Sequence, residues 1–231
     1  MNLLKTTPNF CKVDLRWPNE CVYVVAGGPS LHGFDFDQLK GKNVIAVKSA
    51  AEHLPWASMY VSMDAVAWKM PERLATLKKA GFGGEIWMAV PEDYNLDHVM
   101  CKTDNVKFII RDNICNTGIS PYPDRVYGFN SAVMGLNIAF LGGADRIVLM
   151  GFDLAKGGYW YDMQNPNWVN DRMVSGKVQT REDYIKEQVE YMHEVELDLI
   201  ADGVDFRIYN PVNQELDFIR PIKPGEPLEW N

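Results

Sequence analysis

The stretch Val24-Val25-Ala26-Gly27-Gly28-Pro29-Ser30-Leu31 runs an apolar strand straight into a turn whose first two residues carry no side chain. Without Cβ atoms, Gly27 and Gly28 let a phosphate or a ribose approach the backbone. Pro29 stiffens the turn, and Ser30 adds a hydroxyl and an N–H at a helix start. A purely structural tight turn uses the same residues, so this segment alone fits either role. Its spacing is neither G-x-G-x-x-G nor a Gly-Lys-Ser/Thr phosphate loop, which argues against a classical dehydrogenase or a P-loop kinase.

Three further segments carry groups capable of chemistry. Gly128-Phe129-Asn130-Ser131 opens an apolar helix; Asn130 or Ser131 can cap it, and its exposed N–H groups could hold an anion. Arg146-Ile147-Val148-Leu149-Met150-Gly151-Phe152-Asp153 is an apolar strand ending in Gly-x-Asp, and Asp64 holds the matching place after Tyr60-Val61-Ser62-Met63. A carboxylate just past the carboxyl end of a parallel strand faces the crevice where such sheets bind ligands, although an aspartate there is also a common helix cap. Tyr159-Trp160-Tyr161-Asp162 offers phenols that can close over phosphates and an indole that can stack on a base or sugar, or else packs its loop down. His32, His53, His98 and His193 have no metal-ligand spacing, and any of them could exchange a proton.

The elements that must position these groups follow from periodicity. Apolar runs at Cys21 to Ala26, Asn43 to Val47, Met59 to Met63, Glu85 to Val90, Val106 to Ile110, Arg146 to Met150 and Asp205 to Tyr209 are too uniformly apolar to have a wet face. That is the mark of parallel strands covered on both sides. Helical patterns at Ala65 to Ala80, Ser131 to Leu141 and Thr180 to Ala201 alternate with them, the last opened by a Thr180…Asp183 cap pair. Gly135 allows its helix to pack closely on the sheet. The expectation is an α/β fold, a Rossmann-like and mostly parallel sheet with helices on both faces. Residues 1–20 form an N-terminal extension, 21–211 the domain with a lid-like loop at 155–178, and 212–231 an extended Pro-rich tail. The stretches 113–128 and 155–178 show neither strand nor helix pattern.

Composition narrows the role. The 231 residues carry a formal net charge of −8 and 47% hydrophobic residues, ordinary for a soluble folded protein and unfavourable for duplex nucleic acid. Cysteines 11, 21, 101 and 115 lack a C-x-x-C pair, so reduced thiols are expected rather than a zinc or redox site. No run reaches the ~20 apolar residues of a membrane span, and the N-terminus has no secretory pattern, so a cytoplasmic protein is expected. Seven tryptophans leave room for a homo-oligomer.

Taken in order, Gly27-Gly28-Pro29-Ser30-Leu31, Asn130-Ser131 leading to Ile138-Ala139 and Gly142, and Ile147 to Asp153 resemble the bacterial sialyltransferase-like superfamily. That superfamily also holds the archaeal hydroxymethylpterin pyrophosphokinase, the flagellin motility accessory factors and many uncharacterised phage proteins. The resemblance covers about Val22 to Asp153, with an echo at Tyr209-Asn210-Pro211 and Leu216. It implies a nucleotide- or nucleotide-sugar-dependent transferase, phage-encoded and acting in the host cytoplasm, with Gly28, Ser30 and Ser131 on the phosphate and ribose. Tyr159 and Tyr161 would steady the leaving phosphate. A sialyltransferase-like member would need no metal, whereas a diphosphotransferase acting on a small heterocycle would use ATP and magnesium.

Two departures stand out. Where the sialyltransferases place an asparagine after the second strand, Val47-Lys48-Ser49 puts Lys48, which can contact phosphate. No histidine lies between Asp153 and Glu190, where the family's catalytic histidine belongs, so Asp162 or Asp171 would serve as base, or the protein binds a nucleotide without transferring anything.

Overall fold

The computed structural model describes residues 10–63, 70–92, 106–112, 117–128, 130–154, 159–162, 172–174 and 177–228. Its strands are β1 (Cys21–Val25), β2 (Asn43–Val47), β3 (Met59–Ser62), β4 (Glu85–Val90), β5 (Val106–Asp112), β6 (Arg125–Tyr127), β7 (Arg146–Met150), β8 (Arg172–Val174), β9 (Lys177–Gln179), β10 (Asp205–Tyr209) and β11 (Arg220–Ile222). The helices are α1 (Ala50–His53), α2 (Met70–Lys79), α3 (Ser131–Leu141) and α4 (Arg181–Ala201). Nine strands form one sheet in the order β11-β10-β7-β1-β2-β3-β4-β5-β6, and every pairing in it is parallel. The chain folds as the expected α/β Rossmann-like sheet.

Strand alternation sorts the side chains into two cores. Val22, Val24, Ile45, Val61, Ile147 and Leu149 pack with α3 and α4 on one face, while Tyr23, Val25, Ala46, Tyr60, Val148 and Met150 pack toward α1 and α2 on the other. Both faces are dry, which is why the strands read as continuous apolar runs. Val25 pairs with Ala46 on one side and with Met150 on the other. From β1 the chain leaves over the α1 face, and from β7 it leaves over the α4 face. The carboxyl ends of β1 and β7 are therefore the switch point of the sheet, the place where folds of this kind bind ligands.

Several expectations need correction. The stretch 113–128 is not wholly irregular, because Arg125–Tyr127 pairs with β5; the buried Asn137 side chain accepts from the Ser120 and Tyr127 amides, so a tertiary contact makes this strand. The 155–178 stretch contains the antiparallel pair β8 and β9, each three residues, too short for alternation to register. The tail does more than run over the surface: β11 adds to the sheet edge beside β10, where Pro221 is tolerated because an edge strand can spare an N–H. From the N-terminal stretch Val13 and Trp17 are buried in the core on the α3 and α4 face, and both Arg16 and Trp17 amides donate to Gly142 carbonyl at 2.9 Å. Helix α2 is described from Met70, and the start expected at Ala65 lies outside the described residues. Among the described residues no helix is long and apolar enough to cross a membrane.

The Gly135 expectation has a direct measure. A Cβ there would lie 2.8 Å from Val24 Cγ1 and 3.5 Å from Ile45 Cγ2, so α3 sits on β1 and β2 at glycine distance. Alanine would gain about 1 kcal/mol of helix propensity but overpack rigid β-branched neighbours by about 1–3 kcal/mol. Gly135→Ala should therefore lower stability by roughly 1 kcal/mol, read as a lower urea midpoint with an unchanged m-value.

At the amino end of β4, Glu85 accepts from Arg16 at 2.8 Å, Trp87 Nε1 at 2.8 Å and Lys107 Nζ at 2.9 Å. Burial pushes its carboxyl up, but the hydrogen bonds outweigh burial and hold it at about 2 rather than 4.5. A depressed carboxylate stabilises fully above its unfolded value and loses that contribution as pH falls from about 4.5 toward 2. Glu85→Gln should flatten the acid limb of the stability profile over that window, by no more than ~1 kcal/mol because water screens the half-exposed pair.

Candidate functional site

The two glycine motifs are physical complements of each other. Gly151 takes a φ of +67°, and a Cβ there would meet Leu31 at 2.8 Å and Ala26 carbonyl at 3.0 Å, so only glycine turns the chain off β7. Its carbonyl accepts the Gly28 amide at 2.7 Å, and two residues on, Asp153 Oδ2 accepts the Ser30 amide at 2.7 Å. Gly28 has an ordinary φ of −67°, so its need is steric: a Cβ would sit 2.3 Å from Asp153 Oδ2 and 2.5 Å from Gly151 carbonyl. Pro29, Ser30 and Leu31 then form a 3-10 turn, with Leu31 buried against Gly151 as core. Asn210, just past β10, donates to Ser30 carbonyl at 3.2 Å.

The carboxylate so placed is 4% exposed and Ser30 is 8% exposed. Burial raises the Asp153 pKa above its usual value, and the Ser30 hydroxyl and amide beside it pull the other way. Even so, neither Asp153 Oδ1 nor Ser30 Oγ completes a hydrogen bond of normal geometry. A native fold seldom leaves two such atoms side by side without a use for them.

Above this pair lies the aromatic turn. Trp160 donates its amide to Gly27 carbonyl at 3.0 Å and its indole N–H to Ala26 carbonyl at 2.9 Å. A Cβ on Gly27 would lie 2.6 Å from the Tyr159 ring and 3.2 Å from the Tyr161 hydroxyl, so in this structure the tyrosines take the close approach that Gly27 permits. Tyr159 stacks on Tyr161 at 5.0 Å, Tyr161 stacks on His53 at 4.5 Å, and Trp160 lies 4.3 Å from Phe36. Burial, and then the neighbouring Tyr159, push the Tyr161 phenol well above its ordinary value, against a hydrogen bond with Ser49. It is a hydrogen-bonding group and not a phenolate. Asp162 is exposed, and its backbone closes the turn on Tyr159.

The other predicted residues fall around this centre. Lys48 follows β2 with a φ of +51°, and its amide donates to Val61 carbonyl at 3.1 Å. Asn130 caps α3, accepting from the Ala132 and Val133 amides, and donates to Gln188 at 2.6 Å. Ser131 Oγ accepts the Met63 amide at 3.0 Å. Asn130 and Ser131 therefore tie α3 to β3 and α4, and Nε2 of the buried Gln188 side chain has no hydrogen-bond partner among the described residues. Asp64, His98 and Asp171 lie outside the described residues. His32 is exposed, and His193 packs beside Phe218 on α4. Arg73 joins the site from α2 without a motif to announce it, and His53 on α1, Ser49 just before α1 and Asn210 just past β10 are brought to the same place.

No protein-family model and no curated protein sequence matches the chain. Among the described residues no group of three acidic, histidine or cysteine side chains could hold a metal. An open groove of about 740 Å³ lies between α4 and the tail, lined by Leu154, Glu182, Asp183, Lys186, Asn213 and Glu215. Its lining contains no glycine.

A carboxylate whose pKa is raised by folding costs stability wherever it must be charged. The cost is absent below the unfolded value of 3.8 and grows as pH rises through it. Asp153→Asn, which can still accept the Ser30 amide, should melt above wild type at pH 7, with the difference closing in acid. Asp153→Ala leaves that amide unpaired and should be less stable than wild type by about 1–3 kcal/mol. Melting curves of both variants from pH 3 to 8 check the sign.

Proposed function

We propose that the protein binds a nucleotide or nucleotide-sugar where β1 and β7 diverge and transfers a glycosyl group from it, as a sialyltransferase-like enzyme. The observation that carries this reading is the buried pair of Ser30 Oγ and Asp153 Oδ1, both lacking a completed hydrogen bond, beside backbone free of Cβ atoms. One carboxylate oxygen and one hydroxyl suit a ribose or sugar hydroxyl, which donates to the first and accepts from the second. In the transfer the bond between the sugar carbon and the phosphate oxygen breaks and an acceptor oxygen takes the carbon. The acceptor's proton passes to a carboxylate, for which Asp162 is the exposed candidate. Tyr159, Tyr161 and Lys48 then steady the departing phosphate. Rate enhancement comes from positioning and from donors aimed at developing charge.

A second reading, nucleotide binding without transfer, is favoured by one observation. Trp160 seals the aromatic turn onto Ala26 and Gly27 with two hydrogen bonds, as a clamp would. Thermal shifts with CMP, UMP, GDP, ATP, CMP-sialic acid and UDP-sugars, with and without magnesium, separate the possibilities. A ligand at 100 times its Kd adds about 2.7 kcal/mol, worth roughly 2–4 °C per kcal/mol at this size. The transferase reading expects a metal-independent shift with one nucleotide, abolished in Ser30→Ala, and release of free sugar or transfer on incubation. Binding without turnover supports the clamp, and a magnesium-dependent ATP shift supports diphosphate transfer to a small heterocycle. A flat panel on folded protein overturns all three.

A further inference from the structure

Arg73 reaches the site from α2 and is the side chain there best suited to an anion. Its Nη1 donates to Ser49 Oγ at 2.8 Å and to the Glu52 carboxylate. Ser49 is in turn the hydrogen-bond neighbour of Tyr161, whose hydroxyl lies against Gly27. Arg73, Ser49, Tyr161 and the glycine turn thus form one connected path. With Nη1 engaged, Nε and Nη2 make no hydrogen bond to the described residues. Those two N–H groups are the parallel donors that grip phosphate or carboxylate side-on. The side chain is 34% exposed, so while its Nη1 is held it remains partly open to solvent. Around it the chain carries a net charge of −8, which repels anions at long range, so an anion held at this edge needs a local cation.

We propose that Arg73 is the anchor for the ligand's phosphate group and that Glu52 competes with that group for the guanidinium. This rests on the nucleotide reading above and divides the site chemically. Hydroxyl groups of the ligand go to Ser30 and Asp153, where a second negative charge would be repelled, and the phosphate goes to Arg73, Ser49 and Tyr161 on the β2 side. In the ligand-free protein Glu52 neutralises the guanidinium. An arriving phosphate displaces it, so Glu52 sets the affinity by occupying the site.

Pyrophosphate titration at low ionic strength tests this independently of any base, using wild type, Arg73→Gln, Glu52→Gln and, as a control for general charge, Lys78→Gln at an exposed position of α2. Calorimetry should show at least tenfold weaker binding in Arg73→Gln, severalfold tighter binding in Glu52→Gln and no change in Lys78→Gln. Loss of a merely structural ion pair would weaken or leave unchanged both site variants, so the gain in Glu52→Gln is the diagnostic result, and it stands even where Arg73→Gln folds poorly. Equal affinity in wild type and a folded Arg73→Gln, no gain in Glu52→Gln, or no pyrophosphate binding by wild type overturns the assignment. In those cases a nucleoside that still stabilises wild type and fails on Ser30→Ala shows that the crevice reading survives without Arg73.

Discussion

The 2.7 Å hydrogen bond from the Ser30 amide to the Asp153 carboxylate is the contact around which the site is organised. It joins the turns after two neighbouring parallel strands at the point where their connections part to opposite faces. Two glycine requirements go with it: Gly28 must leave room for the carboxylate, and Gly151 must turn off β7 at positive φ and offer its carbonyl. Gly27 answers to a different neighbour, the aromatic turn. The expense falls on Asp153, whose charge is buried with one oxygen lacking a completed hydrogen bond. A packed core gains nothing from such a group, whereas a ligand site gains a rigid acceptor.

The same geometry sorts the polar groups on either side of that contact. On the β7 side the groups are a carboxylate, a serine hydroxyl and backbone, all suited to neutral hydroxyls. On the β2 side they are Lys48, Ser49, Arg73 and the stacked Tyr161 and His53, which can meet negative charge. The aromatic turn sits between the two, pinned by the Trp160 hydrogen bonds and by the stacking of Tyr161 on His53.

Much of this was legible in the residues because buried parallel strands announce themselves. Long apolar runs such as Arg146–Met150 need no partner to be recognised, and the Thr180…Asp183 pair marks the start of α4 with both capping-box bonds present. What escaped were three-residue strands, β6, β8, β9 and β11, whose existence depends on pairing or on a distant side chain such as Asn137 rather than on pattern. The Gly-Gly-Pro-Ser and Gly-x-Asp motifs could be seen separately. That one supplies the acceptors for the other's amides could not, since the separation of 123 positions from Ser30 to Asp153 is closed only by the sheet order. Arg73 and His53 sit in unremarkable helical sequence and acquire meaning only from the strands that carry their helices to the same edge.

The most direct test of the crevice is amide hydrogen exchange with and without a saturating nucleotide. The account predicts slower exchange at Gly28 and Ser30 and through 159–162, with residues 182–186 and 212–215 unchanged. Protection confined to the groove between α4 and the tail, with Ser30 exchanging as before, would contradict it.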